Sequence, residues 1–235
     1  MPPRARRAPA SSLPAARSSG GAAGTTQFVT NPRCPFAQKA WIALEASGCP
    51  YERREVSLYG PGGKPAWFRE LNPRGTVPVV AVRGGGEEDR VFADSELILD
   101  ALGEGRVPGG GEALSMSELS DGDRDRVAEW RAAVSERVVP VGRTAVLGGA
   151  LPPLRSLLRD LDVMVAGPYL AGERVTLADC AAFPFLWRID REFGIGTGGG
   201  AAAEGEAKLR AWLDTCLRTP AIKKTVPGAG WWWWW

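Results

Sequence analysis

Residues 31–38 read NPRCPFAQ, Asn31-Pro32-Arg33-Cys34-Pro35-Phe36-Ala37-Gln38. One cysteine stands directly before a proline and at the head of a long apolar-periodic stretch. Phe36, Ala40, Ala43 and Leu44 recur at the spacing of one helical face and Gly48 closes the run, so residues 35–47 read as a helix. Pro35 suits the first helical position, where no amide donor is needed, and that puts Cys34 at the N-cap. There a sulfur faces free N–H groups and the positive end of the helix dipole, and Arg33 adds a neighbouring charge. Those conditions favour thiolate over thiol near neutral pH. A buried, inert cysteine is the plainer alternative for the same residue.

The rest of the composition narrows what chemistry is open. The chain has 235 residues, 44% apolar and 24% charged, as in ordinary globular proteins, with a net charge of +2. That balance gives no electrostatic case for nucleic acid or an anionic membrane, and no run of about 18 apolar residues exists to span one. Histidine is absent, which removes His-based acid–base catalysis, Cys-His and Ser-His pairs and most zinc sites. The four cysteines, Cys34, Cys49, Cys180 and Cys216, form no CxxC and match no metal spacing, so no metal is expected. Four cysteines in this length are no disulfide scaffold, which favours a reducing compartment.

Outward from the helix, the first half alternates strand and helix. Strands are expected over 27–30, 51–58 (partly polar, hence near an edge), 77–82 and 90–93; short helices over 65–71 and 94–102, the latter capped by Asp94 or Ser95. The order is βαβαββα, with glycine-rich turns at 60–63 and 84–86. Residues 103–111 are rich in Gly and Pro, and strand signals vanish after them. Val127, Trp130, Val134, Val138 and Val141, then Leu154, Leu157, Leu158, Leu161 and Val165, lie at helical spacing. Thr176-Leu177-Ala178-Asp179 is a capping-box variant opening a further helix, and a last short one covers 208–217 before Pro220. The fold class is therefore α/β followed by all-α. The domains are an α/β unit over 25–103, a linker over 104–118 and a helical unit over 119–219. Residues 1–24 hold four Arg, four Ser and no acid, the composition of an organellar transit peptide, although a plain disordered basic tail shares it. Residues 220–235, ending in five tryptophans, read as a disordered low-complexity tail.

Other residues gather chemistry around Cys34. Ala37 leaves no partner thiol across the turn, so the expected cycle is monothiol: Cys34 forms a mixed disulfide with glutathione and a second glutathione releases it. Val77-Pro78 is a candidate cis bond that would turn the Val77 backbone outward to pair with a peptide-like ligand; an ordinary trans bond fits the sequence as well. Asp94-Ser95 at a helix N-terminus offers a carboxylate, a hydroxyl and N–H groups suited to an α-amino-acid end, or simply an N-cap. Lys64 suits a carboxylate, or is a solvated surface charge.

Together CPFAQKAWIALE, KPAWF, NPRGTVPVV, DSELILDAL and LAGERVTLADCAAFPFLWR resemble cytosolic glutathione transferases of the cysteine type, the lambda and omega classes. The resemblance spans residues 27–217, and Asp179, Pro184, Phe185 and Arg188 fit the sixth helix of both classes. It implies a thioredoxin-like domain followed by an all-helical glutathione-transferase domain, with glutathione as cosubstrate in the cleft between them. By motif, Cys34 would be the catalytic thiol and Phe36 would line the site. Lys64 would meet the glycine carboxylate, Val77 with Pro78 the cysteinyl backbone, and Asp94 with Ser95 the γ-glutamyl end. The family's usual Glu-Ser pair is Asp94-Ser95 here, the loop before Lys64 is longer and glycine-rich, and Trp187 replaces a frequent acidic residue.

The function this implies is glutathione-dependent thiol transfer, deglutathionylation, or reduction of dehydroascorbate and similar small oxidants. A non-catalytic carrier or redox sensor of the same fold is the second reading, for which Trp41, Trp67, Trp130, Trp187 and Trp212 would line an aromatic pocket. A Ser- or Tyr-type conjugating transferase is the third. Partners are glutathione and a small disulfide or electrophilic substrate, with no nucleic acid or membrane and either a monomer or a homodimer. Localisation is cytoplasmic, or organellar if residues 1–24 direct it to a chloroplast or mitochondrion.

Overall fold

The computed structural model describes residues 24–58, 63–84, 88–110, 112–197 and 205–228. Most of the expected transit segment, part of the 60–63 and 84–86 turns and the five terminal tryptophans lie outside the described residues.

Strand β1 (Thr25–Thr30) leads through Cys34 into helix α1 (Pro35–Ser47), which Gly48 ends in the left-handed conformation, φ 69°. Next come β2 (Glu52–Glu55), α2 (Ala66–Leu71), β3 (Val79–Arg83), β4 (Arg90–Phe92) and α3 (Ser95–Gly103). The sheet order is β2-β1-β3-β4; β1 runs parallel to β2 and antiparallel to β3, which is antiparallel to β4. Side chains alternate across it. Phe28, Val80 and Val82 join the core built with α1 and α3, whereas Val29 and Val79 join Phe68 of α2 on the other face. This is a thioredoxin-like layer arrangement.

Local reasons explain the departures from the sequence pattern. β1 begins at Thr25, two residues before the expected 27, because Thr25 and Thr26 pair with Arg83 and Val82. β2 shrinks to four residues because its partner residues in β1 stop at Thr30; it is the edge strand, and its exposed Glu-Arg-Arg-Glu face discourages pairing with another chain. β3 begins at Val79 because the Val77–Pro78 peptide is cis, which places both residues outside the ladder.

The connection over 104–118 is not open chain. It holds two single 3-10 turns, Glu112–Leu114 and Met116–Glu118, and buries Val107 and Leu114. Ser120 then caps α4 (Asp121–Ala133) by accepting from the Asp123 amide. A wide helical turn, Val134–Val138, passes directly into α5 (Val139–Val146), whose Pro140 has no amide to donate. Helix α6 (Leu151–Met164) buries Leu154, Leu157, Leu158 and Leu161, as their spacing predicts. Helix α7 (Leu177–Phe193) lies at the centre of the helical domain and continues through Pro184. It is followed by α8 (Ala207–Arg218) and α9 (Pro220–Lys223). The last of these corrects the expectation of disorder from residue 220. Pro220 starts a new turn rather than ending structure, and Ile222 and Thr225 are buried against the fold. Among the described residues no helix is long and apolar enough to cross a membrane.

The start of α7 is fixed by the expected capping box. Asp179 is fully buried and accepts from the Thr176 amide at 2.8 Å, the Thr176 hydroxyl at 3.0 Å, the Leu170 amide at 2.9 Å and Trp212 Nε1 at 2.9 Å. Replacing Asp179 by alanine strands four donors. It is expected to destabilise the chain by about 3 kcal/mol or more, read as a lowered urea midpoint at unchanged slope.

Candidate active site

The loop before α1 is shaped by Asn31. Its Oδ1 accepts from the Arg33 amide and its Nδ2 donates to the Val56 carbonyl, so the turn is tied to the edge of the sheet. The Cys34 carbonyl accepts the first helical bond, from the Gln38 amide at 3.0 Å, which sets Cys34 at the N-cap with Pro35 next. The thiol is half-buried and points towards the Val77 carbonyl, 3.9 Å from Sγ. Cys49, Cys180 and Cys216 are free and buried.

The charge state of this thiol differs from the sequence expectation. Burial pushes the Cys34 thiol above its ordinary value. The Ala37 and Phe36 amides at the helix terminus and the Arg188 guanidinium pull it back without cancelling that effect. The helix end acts in the expected direction. The apolar surroundings, with Val29, Val56, Phe68, Val77 and Val79 forming the adjoining core, cost the charged form more.

The other residues singled out by sequence fall along one rim. Val77 is buried, and its carbonyl is the nearest recorded partner of the sulfur. The loop carrying it is braced by Asn72, whose Nδ2 donates to the Thr76 carbonyl at 2.9 Å. Gly75 has a positive φ of 60°, and a Cβ there would meet Lys64, 2.8 Å from Cδ and 3.1 Å from Nζ, so the lysine stem lies across this loop. Arg74 Nη2 donates to the Ala93 carbonyl at 2.7 Å, joining the loop to the entry of α3. Asp94 is the N-cap there, its Oδ1 accepting from the Glu96 amide at 2.8 Å, and Ser95 is buried as the first helical residue. Ala93, just before this pair, packs on the same small core as Cys34 and Val77. Phe36 is 39% exposed and meets Phe185 of α7 edge-on at 5.1 Å, which brings the helical domain up to the sulfur.

The five tryptophans do not gather into one pocket. Trp130 and Trp212 are core residues and Trp187 is nearly buried. Trp41 lines a separate cavity of about 510 Å³ near the C-terminal end of α1, with Glu45, Tyr51, Arg53 and Lys224.

One residue was quoted in the sequence motif without a role. Arg188 of α7 is 1% exposed; its Nη1 donates to Gln38 Oε1 and the Pro184 carbonyl, both at 2.7 Å, and its Nη2 to the Arg33 carbonyl at 3.3 Å. Gln38 Nε2 in turn donates to the Thr225 carbonyl at 3.1 Å. Composition offered one signal for it, a single arginine in the otherwise apolar stretch AAFPFLWRI.

A thioredoxin-like layer with a cis-proline before its third strand, joined to an all-helical domain, is the glutathione transferase architecture. Residues 33–104 match the family description "Glutathione S-transferase, N-terminal domain", and residues 151–220 match "Glutathione S-transferase, C-terminal domain". The chain belongs to the glutathione S-transferase family. It is 28% identical over 156 residues to "Glutathione S-transferase DHAR3, chloroplastic" of Arabidopsis thaliana, covering 66% of this chain and 55% of that one. It is 32% identical over 156 residues to "Probable glutathione S-transferase DHAR1, cytosolic" of Oryza sativa subsp. japonica, covering 66% and 67%. The chain thus spans about half the length of the first of these relatives. The crystal structure of glutathione transferase Omega 3C from Trametes versicolor shares the fold, with a TM-score of 0.71 at 24% identity, covering 86% of this chain and 89% of that one.

Because burial sets the Cys34 thiol above the ordinary cysteine value, little thiolate is present at pH 7 in the free protein. Alkylation of Cys34 by iodoacetamide is expected to be slower at pH 7 than that of free glutathione and to rise about tenfold per pH unit up to pH 9. A pH-independent rate between 6 and 9 would contradict this.

Proposed function

We propose that the protein is a glutathione-dependent thioltransferase of the monothiol kind, acting on glutathionylated or disulfide substrates and on small oxidants of the dehydroascorbate type. The observation that carries the reading is a partly buried thiol with no partner thiol at the N-cap of α1, facing the backbone of a cis-proline turn, with alanine at position 37. The DHAR names of the relatives support the same chemistry.

In the proposed cycle the Cys34 thiolate attacks the glutathione sulfur of a mixed disulfide. The Cys34–glutathione bond forms, the substrate sulfur leaves with the electron pair and takes up a proton. A glutathione thiolate then attacks the glutathione sulfur of the adduct, releasing oxidised glutathione and restoring the Cys34 thiolate. In sum the substrate's mixed disulfide and one free glutathione become the substrate thiol and oxidised glutathione, whose two halves are the glutathione the substrate carried and the one that attacked. Val77 would offer its backbone to the cysteinyl residue of glutathione in strand fashion, with Pro78 holding that backbone outward. Ser95 and the amides opening α3 would take the γ-glutamyl carboxylate, and the Asp94 carboxylate its ammonium. Lys64 would meet the glycine carboxylate, and Phe36 would cover the sulfur from the side of the helical domain. With a cysteine in this position the protein bonds to glutathione rather than activating it for conjugation. A hydroxyl would be needed for the latter, and Ser95 is buried in a helix start.

Intact-protein mass after incubation with oxidised glutathione tests the reading. One glutathione adduct is expected on the wild type, absent from Cys34→Ser and reversed by reduced glutathione. Robust conjugation of chlorodinitrobenzene that survives Cys34→Ser would overturn the thiol mechanism.

A further inference from the structure

Arg188 sits where a charge is hard to keep. It is 1% exposed, on the part of α7 that packs against α1. Its recorded acceptors are all neutral: the Gln38 side-chain oxygen and the backbone carbonyls of Pro184 and Arg33. Its Nε–H has no partner among the described residues. A buried cation held only by neutral dipoles is costly, and proteins ordinarily supply a carboxylate. Among the described residues none is paired with it.

The groups bonded to the guanidinium or in ring contact with it carry no negative charge. α1 presents neutral Gln38, and Cys34 at its N-cap follows directly on Arg33, whose carbonyl the guanidinium holds. The loop before α1 presents the backbone carbonyl of Arg33. The segment after α9 reaches it only through Gln38, from neutral Thr225. From its own helix come the Pro184 carbonyl and the Trp187 ring, 5.5 Å away. Cys34 is therefore the one group in this set that can become an anion. The coupling is mutual: the guanidinium favours the charged sulfur, and the sulfur favours the charged guanidinium against the burial that pulls it down to about 10.

We propose that Arg188 is the positioning cation of Cys34, supplied by the helical domain to hold negative charge on the sulfur of the other domain. The proposal rests on Cys34 being the exchange thiol. In the first step Sγ gives up its charge on bonding to the glutathione sulfur, and the departing substrate thiolate carries that charge away. In the second step the electron pair of the broken disulfide returns to Sγ while the attacking glutathione becomes oxidised glutathione. Arg188 raises the fraction of attacking thiolate in the first step and stabilises the leaving thiolate in the second. Gln38 and Thr225 hold the guanidinium in register, so the C-terminal segment after α9 is part of the same arrangement.

The test is the pH profile of Cys34 alkylation, followed on the Cys34 peptide by mass in the full chain, for wild type, Arg188→Gln, Arg188→Lys and Gln38→Glu. Arg188→Gln is expected to move the profile to higher pH, seen as a fall of about threefold or more in rate at a fixed pH below the midpoint. Arg188→Lys, which keeps the cation, should stay close to wild type. Gln38→Glu leaves Arg188 in place but gives it a carboxylate, and should slow alkylation several-fold at pH 7. A profile in folded Arg188→Gln that superimposes on wild type overturns the proposal; if that variant does not fold, an unchanged profile in Gln38→Glu does so. Alkylation needs no glutathione. A wild type that forms no glutathione adduct yet shifts its profile in Arg188→Gln would sink the thioltransferase reading and leave the Arg188 assignment standing.

Discussion

Helix α1 has almost no free face, and the rest of the molecule is arranged around that constraint. One side lies on the sheet with Ala40, Ala43 and Leu44; the other meets α7 and the segment after α9. Two polar residues, Gln38 and Lys39, are caught in the middle and are buried. A buried amide and a buried ammonium each demand partners, because leaving either unsatisfied costs more than the packing around it returns. Gln38 takes Arg188 of α7 and Thr225 after α9. Lys39 takes Glu96 of α3, which is shared with Arg131 of α4, and Arg131 also pairs with Asp100. Burial works against the Glu96 charge, but Lys39 and Arg131 outweigh it and hold the carboxyl below its usual range. Polar obligations of one helix thereby tie the α/β layer to the helical domain at two points.

Those two ties flank the site. Glu96 follows Asp94 and Ser95 at the start of α3, so anchoring it to α1 and α4 fixes the helix end proposed to take the γ-glutamyl group. Arg188 anchors the loop holding Cys34 through the Arg33 carbonyl. Both ties follow from the burial of α1, a reason unrelated to ligand binding.

Much of this was legible in the sequence where one residue type has one physical use. The extent of α1 followed from its apolar spacing, Pro35 and Gly48; the Val77–Pro78 bond, the one candidate for a cis peptide, is cis; Asp94 caps α3; and the Thr176–Asp179 box opens α7. What escaped depends on neighbours distant in the chain. β2 ends with the residues its partner strand can offer, which a single segment does not encode. Residues 220–228 look like a tail until Thr225 is seen against Gln38, 187 positions away. Lys64, Asp94 and Ser95 were readable as candidates because the motif carries them, whereas Arg188 reads as one more polar residue on a helix until Gln38 and the Arg33 carbonyl are brought to it.

The thiol illustrates the same division on the scale of one atom. Local sequence predicts a stabilised thiolate, since Pro35 exposes the first amides of α1 to the sulfur. Tertiary packing reverses the net effect, because the apolar layer of Val29, Val56, Phe68 and Val77 that places the sulfur beside the Val77 backbone also takes it partly out of water. The two demands conflict: the packing that sets the sulfur against the Val77 backbone also disfavours its charge. A cation reaching in from the second domain answers the conflict without adding water, and it explains why the buried guanidinium of Arg188 is matched to a thiol rather than to a carboxylate. A carboxylate there would satisfy Arg188 permanently and leave nothing for the charge that the proposed exchange places on Cys34.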